Sequence, residues 1–184
     1  MTEIASTGQL RASLARWVLV LVPGINLLGF LSARASFSGD QNPWFAALVK
    51  PGLYPPPIAF PIMWTALYVL MGVALAIVVS ARRAPGRGLA MGVFGLHLVA
   101  NLAWSPLFFG AHLITGALVD AGLMAVTLVA TIWLFARVRP LAAWLLVPYL
   151  AWVLFACVLN AQLLHLNPGA DGQAQAPSVV RIKL

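Results

Sequence analysis

Charge is what this sequence lacks most. Only 8% of its 184 residues are charged and only four are acidic, whereas 62% are hydrophobic. A soluble domain carries roughly 25% charged residues. A soluble fold of this length could not bury so much apolar side chain, because small domains keep a large surface. The composition therefore excludes an ordinary soluble domain and predicts an integral membrane protein.

Residues that form disulfides, metal sites and catalytic centres are also scarce. The single cysteine, Cys157, cannot form an internal disulfide and is predicted to be a small packing residue. The histidines, His97, His112 and His165, are far apart and lack metal-ligand spacing. No paired carboxylates, phosphate loop or nucleophile–base arrangement is visible. We therefore predict no metal site, no catalytic residues and no required cofactor.

The charge that is present is mostly positive. Eleven Lys and Arg against four acidic residues give a net charge of +7, but the basic residues stand singly or in pairs between long apolar runs. That distribution is typical of membrane loops rather than of a nucleic-acid-binding patch. Nucleic acid is therefore not an expected partner, whereas membrane lipid is.

Five apolar segments approach the length of about 20 residues that a transmembrane helix needs. They are expected to be helical because lipid cannot satisfy free backbone polar groups. The fold class is thus an all-α membrane protein with five transmembrane helices, at about 17–33, 58–80, 88–109, 112–135 and 141–165. The membrane domain is predicted to cover 16–167, after a cytoplasmic tail at 1–15 and before a disordered tail at 168–184 that is rich in Gly, Pro, Gln and Ala.

The first segment has an alternative interpretation. Arg11 and Arg16, an apolar run and then Ala33-Arg34-Ala35 resemble a secretory signal peptide with its cleavage site. Arg34 inside that site and the nearly span-length run favour a retained helix. Counting Lys and Arg in the loops gives seven on the side of the N-terminus and four on the other, which predicts a cytoplasmic N-terminus.

Three of the predicted helices carry aromatic side chains at spacings of three and four residues, which place them on one helix face. The stripes are Phe60, Trp64, Tyr68 and Met71 in the second helix, His97, Asn101, Trp104 and Phe108 in the third, and Tyr149, Trp152, Ala156 and Asn160 in the fifth. They predict either a packed core or an aromatic-lined ligand pocket. Asn101 and Asn160 lie at membrane depth, where amides need partners. They either bond across helices or orient a mostly apolar ligand.

Other features complete the expectations. The connection at 34–57 contains three successive prolines, is predicted to be a stiff lid-like loop, and would place Arg34, Trp44, Lys50 and Pro51 at the pocket mouth.

Asp120 is an acidic residue within a span, which is a functional position or one that reaches the headgroups or pairs with His112. Small residues four apart, Gly88 with Gly92 and Ala117 with Ala121 and Ala125, predict close helix packing within one chain or between two.

These motifs resemble the TspO/MBR family, the bacterial tryptophan-rich sensory proteins and the mitochondrial translocator proteins. The resemblance runs from about Asn42 to Asn160. The matching stretches are Pro43-Trp44-Phe45, Lys50-Pro51 with Pro55-Pro56, Phe60, Trp64, Leu67 and Tyr68, the run from Asn101 to Gly110, Ala117-Leu118-Val119-Asp120, Pro148-Tyr149-Leu150-Ala151-Trp152, and Leu159-Asn160.

The resemblance implies a five-helix bundle, usually a homodimer, with a pocket beneath the first long loop that binds tetrapyrroles such as protoporphyrin IX or haem. It implies a sensor or regulator; the alternatives are light-dependent porphyrin breakdown through Trp64 and Trp152, and transport of porphyrin or lipid. A helical bundle also fits a bacterial inner membrane. Leu53 replaces a frequent loop Trp and His97 a frequent Gln, while Ala161 and His165 depart from the sterol-recognition pattern. His97 has two interpretations: it is a neutral side chain bonded to a backbone carbonyl or a Trp N–H, or it lines the pocket and meets the ligand through a bond to a propionate or to haem iron.

Overall fold

The computed structural model describes residues 7–173, and within them it contains helices, turns and loops but no strand. The helices are α1 (Thr7–Ala35), α2 (Pro43–Ala47), α3 (Ala59–Ser80), α4 (Arg87–Ser105, continued by a π-helical turn at Pro106–Gly110), α5 (Ile114–Val138) and α6 (Pro140–Leu166). All except α2 are long and apolar enough to cross a membrane. The predicted five-span helical fold is confirmed.

Helix α1 is longer than its apolar run. It begins at Thr7, so residues 7–15 of the predicted tail are helical, while residues 1–6 lie outside the described part. An apolar run marks only the part of a helix that lies in lipid, and polar residues can continue the same helix beyond it. Pro23 does not end α1, and Asn26 donates from Nδ2 to the Val22 carbonyl at 2.9 Å in the same stretch.

The bundle is held by close packing of helices around a buried apolar core. Helix α5 packs between α4 and α6, and α1 lies against α3. At Gly72 a Cβ atom would stand 2.7 Å from Cα of Val22, so glycine is what allows α1 and α3 to touch at this point. Outward-facing side chains such as Val99 and Trp144 are 66% and 71% exposed. Such surfaces suit a bilayer, which is as apolar as they are.

The two small-residue stripes have different surroundings. Ala117 and Ala121 are buried inside the bundle, so their spacing serves packing within the chain. Around Gly88 and Gly92 no side-chain or backbone atom of the described residues lies within 4 Å of an added Cβ. The glycine face of α4 is therefore open.

The connection between α1 and α3 is folded down onto the bundle. Asn42 caps the short helix α2 by accepting from the Phe45 amide at 3.1 Å, and Pro43 occupies the first turn, where its missing N–H is not needed. Trp44 and Phe45 are both 4% exposed and pack in one cluster with Phe108. The loop is thus fixed to the bundle by an apolar anchor.

The end of the described chain corrects the predicted disordered tail. Residues 168–173 turn back over the loop between α4 and α5: the Gly172 amide donates to the His112 carbonyl at 2.9 Å, and Asp171 accepts from the amide of Thr115 at 3.1 Å and its hydroxyl at 2.6 Å. A composition rich in Gly and Pro is as typical of tight turns as of disorder. Here the hydrogen bonds of Asp171 and Gly172 hold residues 168–173 in turns. The rest of that prediction, 174–184, lies outside the described residues.

Candidate ligand pocket

A largely apolar cavity of about 710 Å³ lies between the five long helices, α1, α3, α4, α5 and α6, beneath the loop that contains α2. That volume falls in the range of roughly 300–1,000 Å³ that is usual for small-molecule sites. Nine of the eleven residues predicted to contact a ligand are in its wall: Phe60, Trp64, Tyr68, Asn101, Trp104, Phe108, Trp152, Ala156 and Asn160. The three stripes therefore do converge on one space.

The aromatic side chains give the cavity flat walls. Trp104 stacks on Phe108 with ring centroids 4.9 Å apart and planes 9° from parallel. On the other side, Phe60 meets Trp152 edge to face at 6.0 Å. The indole Nε1 of Trp152 is buried and has no hydrogen-bond partner among the described residues. Flat faces of this kind suit a planar, aromatic guest.

His97 does not lie in the cavity wall, and its contacts fit the interpretation of a side chain bonded to a backbone carbonyl. Its side chain is fully buried on the far side of α4. Nδ1 lies 3.2 Å from both the Met124 carbonyl oxygen and Thr127 Oγ1, and Nε2 lies 3.0 Å from the Tyr149 hydroxyl. Because both ring nitrogens are engaged within the bundle, the geometry gives no support to haem ligation by His97.

Tyr149 also lies behind the wall rather than in it. Its side chain is 0% exposed, its ring meets that of Trp64 at 6.3 Å, and its hydroxyl accepts from Asn101 Nδ2 at 2.6 Å. The stripe on α6 is longer than the cavity, so its first member continues into the packed core. Sequence spacing shows which residues share a face but not where along that face a cavity ends.

The two amides find different partners. Asn101 bonds to tyrosines on two other helices: Nδ2 reaches Tyr149, and Oδ1 accepts from the Tyr68 hydroxyl at 3.0 Å. Asn160 donates to the Ile114 carbonyl at 2.9 Å, while its buried Oδ1 has no partner among the described residues. Both amides therefore bond across helices, and both also belong to the cavity wall.

The four residues predicted at the pocket mouth are not themselves in the cavity wall. Trp44 is buried and stacks on His112 at 4.5 Å. Lys50 donates to the carbonyls of Phe45 and Leu48 and lies 4.0 Å above the Phe45 ring. Burial lowers the pKa of Lys50, and the charge of Asp40 opposes that shift.

The other two mouth residues lie elsewhere. Pro51 belongs to a shallow groove that also involves His165 at the end of α6. Arg34 is exposed at the end of α1, next to the wall residue Ala33. Of the four, Trp44 anchors the loop to the bundle and Lys50 bonds within the loop, and neither faces the cavity.

The rim is built instead by residues that the sequence did not single out: Ser38, Gly39, Asp40, Gln41, Tyr54 and Pro57. Among the described wall residues, Asp40 is the one with a charged side chain, and it accepts from the Tyr54 hydroxyl at 2.8 Å. Burial, followed by that hydrogen bond, raises the pKa of Tyr54. A small polar loop segment has no periodicity, so no pattern pointed to it.

The rim is fastened to the end of α6. Asn167 accepts from the Val49 amide at 2.8 Å and donates to the Val49 carbonyl at 3.0 Å, as a strand neighbour would. Asp120, by contrast, is half-buried outside the cavity wall, and its Oδ2 has no partner among residues 7–173. Neither predicted reading of Asp120 gains support from its surroundings.

The sequence of this chain also matches those of known proteins. The sequence profile of the TspO/MBR family matches residues 18–166. The chain belongs to the TspO/MBR family. It is 40% identical over 153 residues to the tryptophan-rich protein TspO of Chlorobaculum tepidum, which covers 82% of this chain and 96% of that protein.

Other members of the TspO/MBR family show similar likeness. The translocator protein of Sus scrofa is 38% identical over 154 residues, or 83% of this chain and 89% of that protein. The tryptophan-rich sensory protein of Cereibacter sphaeroides is 36% identical over 124 residues, or 67% and 77%. Bacterial and animal members are thus similarly related to this chain, and the five-span fold is what they are expected to share.

Proposed function

We propose that this protein is a membrane receptor or sensor that binds a tetrapyrrole, such as protoporphyrin IX or haem, in the cavity between its five long helices. The observation that supports it is a cavity of about 710 Å³ whose walls are stacked aromatic rings. A porphyrin is a flat π-system of matching chemistry, which gains both apolar burial and ring stacking there.

The carboxylates of a porphyrin would remain at the rim, since the interior offers no cation among its described wall residues. Lys50 is committed to backbone carbonyls. Arg34 directly follows the wall residue Ala33 and is exposed, so we propose that it is the cation that meets a propionate. Asp40 at the same rim disfavours a second negative group beside it.

The experiment is a titration of protoporphyrin IX in detergent, in the dark, followed by quenching of tryptophan fluorescence. Trp152→Leu should weaken binding up to about tenfold, because an aromatic contact contributes roughly 0.5–1.5 kcal/mol beyond its area. Trp144→Leu is the matched control on the same helix, since Trp144 is 71% exposed on the outside of the bundle. Equal affinities for the two variants would remove the cavity as the porphyrin site.

A photochemical role is the second candidate. It is favoured by the row of rings that leads from Trp64 in the wall to the buried Tyr149, 6.3 Å away. Excited porphyrin that takes an electron from Trp64 would leave a radical with a further donor behind it. Under illumination, protein-dependent loss of the Soret band that disappears in Trp64→Phe would support this role, whereas bleaching at the same rate without protein would exclude it.

Assembly and location extend the same proposal. The protein is proposed to be a homodimer in a bacterial inner membrane, with a cytoplasmic N-terminus. The open glycine face of α4 supports the dimer, and the excess of basic residues on the N-terminal side supports the orientation. Cysteine labelling of Arg83→Cys from the two sides of an intact cell would test the orientation, because Arg83 lies in the exposed loop between α3 and α4.

A further inference from the structure

A chain of buried hydrogen bonds runs from the core to the cavity wall. It begins at the Met124 carbonyl on α5, passes through His97, Tyr149 and Asn101, and ends at Tyr68 on α3. We infer that His97 fixes the direction of this chain, so that Tyr68 and Asn101 meet a ligand as hydrogen-bond acceptors. The cavity then selects an apolar ligand that carries an N–H or O–H donor on its buried part.

The direction is decided at the His97 end. A backbone carbonyl can only accept, so Met124 requires a proton on Nδ1. Thr127 Oγ1 is equally close to Nδ1, and its own proton has acceptors in the Leu123 carbonyl at 2.8 Å and the Met124 carbonyl at 3.1 Å. Thr127 is therefore able to accept from His97 as well. Both neighbours of Nδ1 are acceptors, and Nδ1 must carry a hydrogen.

The proton on Nδ1 determines the direction of the remaining hydrogen bonds. A neutral imidazole with hydrogen on Nδ1 has a bare Nε2, so the Tyr149 hydroxyl donates to it across 3.0 Å. A second proton on the ring would place an unpaired charge in the core, which is strongly unfavourable. Having used its proton, Tyr149 accepts from Asn101 Nδ2 at 2.6 Å. The amide orientation of Asn101 is thereby fixed.

The orientation of the Asn101 amide also fixes the direction of the hydrogen bond that Tyr68 makes. Since Nδ2 of Asn101 faces Tyr149, its Oδ1 faces Tyr68 and accepts the Tyr68 hydroxyl proton at 3.0 Å. Tyr68 and Asn101 both belong to the cavity wall. They are the wall residues of α3 and α4 that lie farthest from the loop above the cavity. At this depth the Tyr68 oxygen has lone pairs left but no proton to give.

The opposite direction is the alternative that the structure disfavours. It requires a proton on Nε2 and a bare Nδ1 that faces the Met124 carbonyl oxygen at 3.2 Å, which is a repulsive contact between two acceptors. Tyr149 would then give its proton either to Asn101 or to the weaker acceptor Met124 Sδ at 3.6 Å; in the first case the remaining bonds reverse and Tyr68 offers its proton to the cavity. The two directions thus predict opposite ligand chemistry from the same heavy-atom positions.

The assignment explains how a glutamine could stand in for His97. The amide of Gln carries a donor and an acceptor on separate atoms, so it can donate to Met124 and accept from Tyr149, as His97 does with Nδ1 and Nε2. Leucine can do neither. His97→Gln should therefore preserve the direction of the chain, and His97→Leu should lose it.

The first test needs no ligand. Nitrogen-15 NMR of histidine-labelled protein in detergent reports which ring nitrogen carries hydrogen, and a His112→Gln/His165→Gln variant leaves the signal of His97 alone. We expect a neutral ring with hydrogen on Nδ1 and a bare Nε2. A neutral ring with hydrogen on Nε2, or a ring protonated at both positions, would overturn the inference.

The second test measures the ligand preference with two fluorescent probes of nearly equal shape, 1-hydroxypyrene, which has a donor, and 1-methoxypyrene, which has none. The quantity is the ratio of their dissociation constants, with Tyr68→Phe as the reference that lacks the acceptor. Wild type and His97→Gln should favour hydroxypyrene roughly twofold to tenfold more than the reference does. His97→Leu should fall to the reference ratio.

The possible outcomes are distinct. A wild-type ratio equal to that of Tyr68→Phe, or loss of the preference in His97→Gln, would contradict the inference. If His97→Leu does not fold, the NMR result and the Tyr68→Phe comparison still decide. The inference rests on the cavity being a ligand site, but not on a porphyrin: failure to bind protoporphyrin would leave the probe ratio and the protonation of His97 unchanged.

Discussion

Gly29 is the position where one added carbon atom should affect both folding and the cavity. A Cβ atom at Gly29 on α1 would stand 2.1 Å from Cε2, 2.5 Å from Cζ and 2.8 Å from the hydroxyl oxygen of Tyr68. Carbon atoms in contact need about 3.5 Å. In Gly29→Ala the Tyr68 ring must therefore move by more than an ångström, away from α1 and out of register with Asn101.

The magnitude can be assembled from three effects. Overpacking a filled site costs about 1–3 kcal/mol, and loss of the Tyr68–Asn101 hydrogen bond costs about 0.5–1.5 kcal/mol. Alanine in place of glycine within a helix returns about 0.5–1 kcal/mol. We expect a net loss in the free energy of unfolding of about 2 kcal/mol, together with weaker binding at the cavity, because Tyr68 is part of its wall.

Gly24→Ala is the matched control. Gly24 lies on the same helix, and nothing stands within 4 Å of a Cβ placed there. It should gain about 0.5–1 kcal/mol and leave the cavity unchanged. Unfolding by SDS titration from mixed micelles, followed by tryptophan fluorescence, would compare the two variants. If Gly29→Ala proves as stable as Gly24→Ala, the tight contact with Tyr68 is not real and the reasoning fails.

The remaining predictions concern the helix contact, the rim, the loop and the dimer. Gly72→Ala should destabilise more than Gly29→Ala, as seen in the same unfolding assay, because its Cβ meets the backbone of α1 and not a movable ring. Asp40→Asn should tighten protoporphyrin binding about twofold to fivefold in low-salt titrations by removing a like charge at the rim; an unchanged or lower affinity would contradict this. Asn167→Ala should speed hydrogen exchange at the Val49 amide, and equal protection would show that the loop holds without it. Gly92→Leu should yield a monomer in light scattering after size exclusion, while a persistent dimer would direct attention away from α4.

The fold and most of the cavity wall were predictable because they depend on periodicity. The apolar runs are long enough to identify five spans, and spacings of three and four placed Trp64, Trp104 and Trp152 on the faces that converge. Those signals are local, and lipid reinforces them by requiring helices. The contribution of α1 to the cavity wall was not predicted, because its wall residues Asn26 and Phe30 are not part of an aromatic pattern.

Other features of the site could not be predicted from the sequence. They depend on where along a helix face the cavity ends and on which hydrogen-bond partners a polar side chain finds in the folded chain. His97 and Asn101 are one turn apart, yet one faces the core and the other the cavity, because the boundary between them is set by α5. Lys50 was expected to meet a ligand, but two nearby carbonyls hold it. Polar contacts between distant segments, such as Asp171 with Thr115, leave no spacing signal at all.

The ties made by residues 167–172 have a consequence for how the protein is made. Synthesis proceeds from the N-terminus, so the loop above the cavity emerges long before Asn167, which fastens it at Val49, and before Gly172, which bonds to His112. Helix α6 also supplies Trp152, Ala156 and Asn160 to the wall. A ribosome-bound chain that has inserted only four spans therefore lacks the α6 side of the cavity wall, and the loop above the cavity is not yet bonded to Asn167. The cavity is therefore complete only when the last helix is in place, and a chain interrupted before that point presents its aromatic wall residues in an open, unfinished cavity.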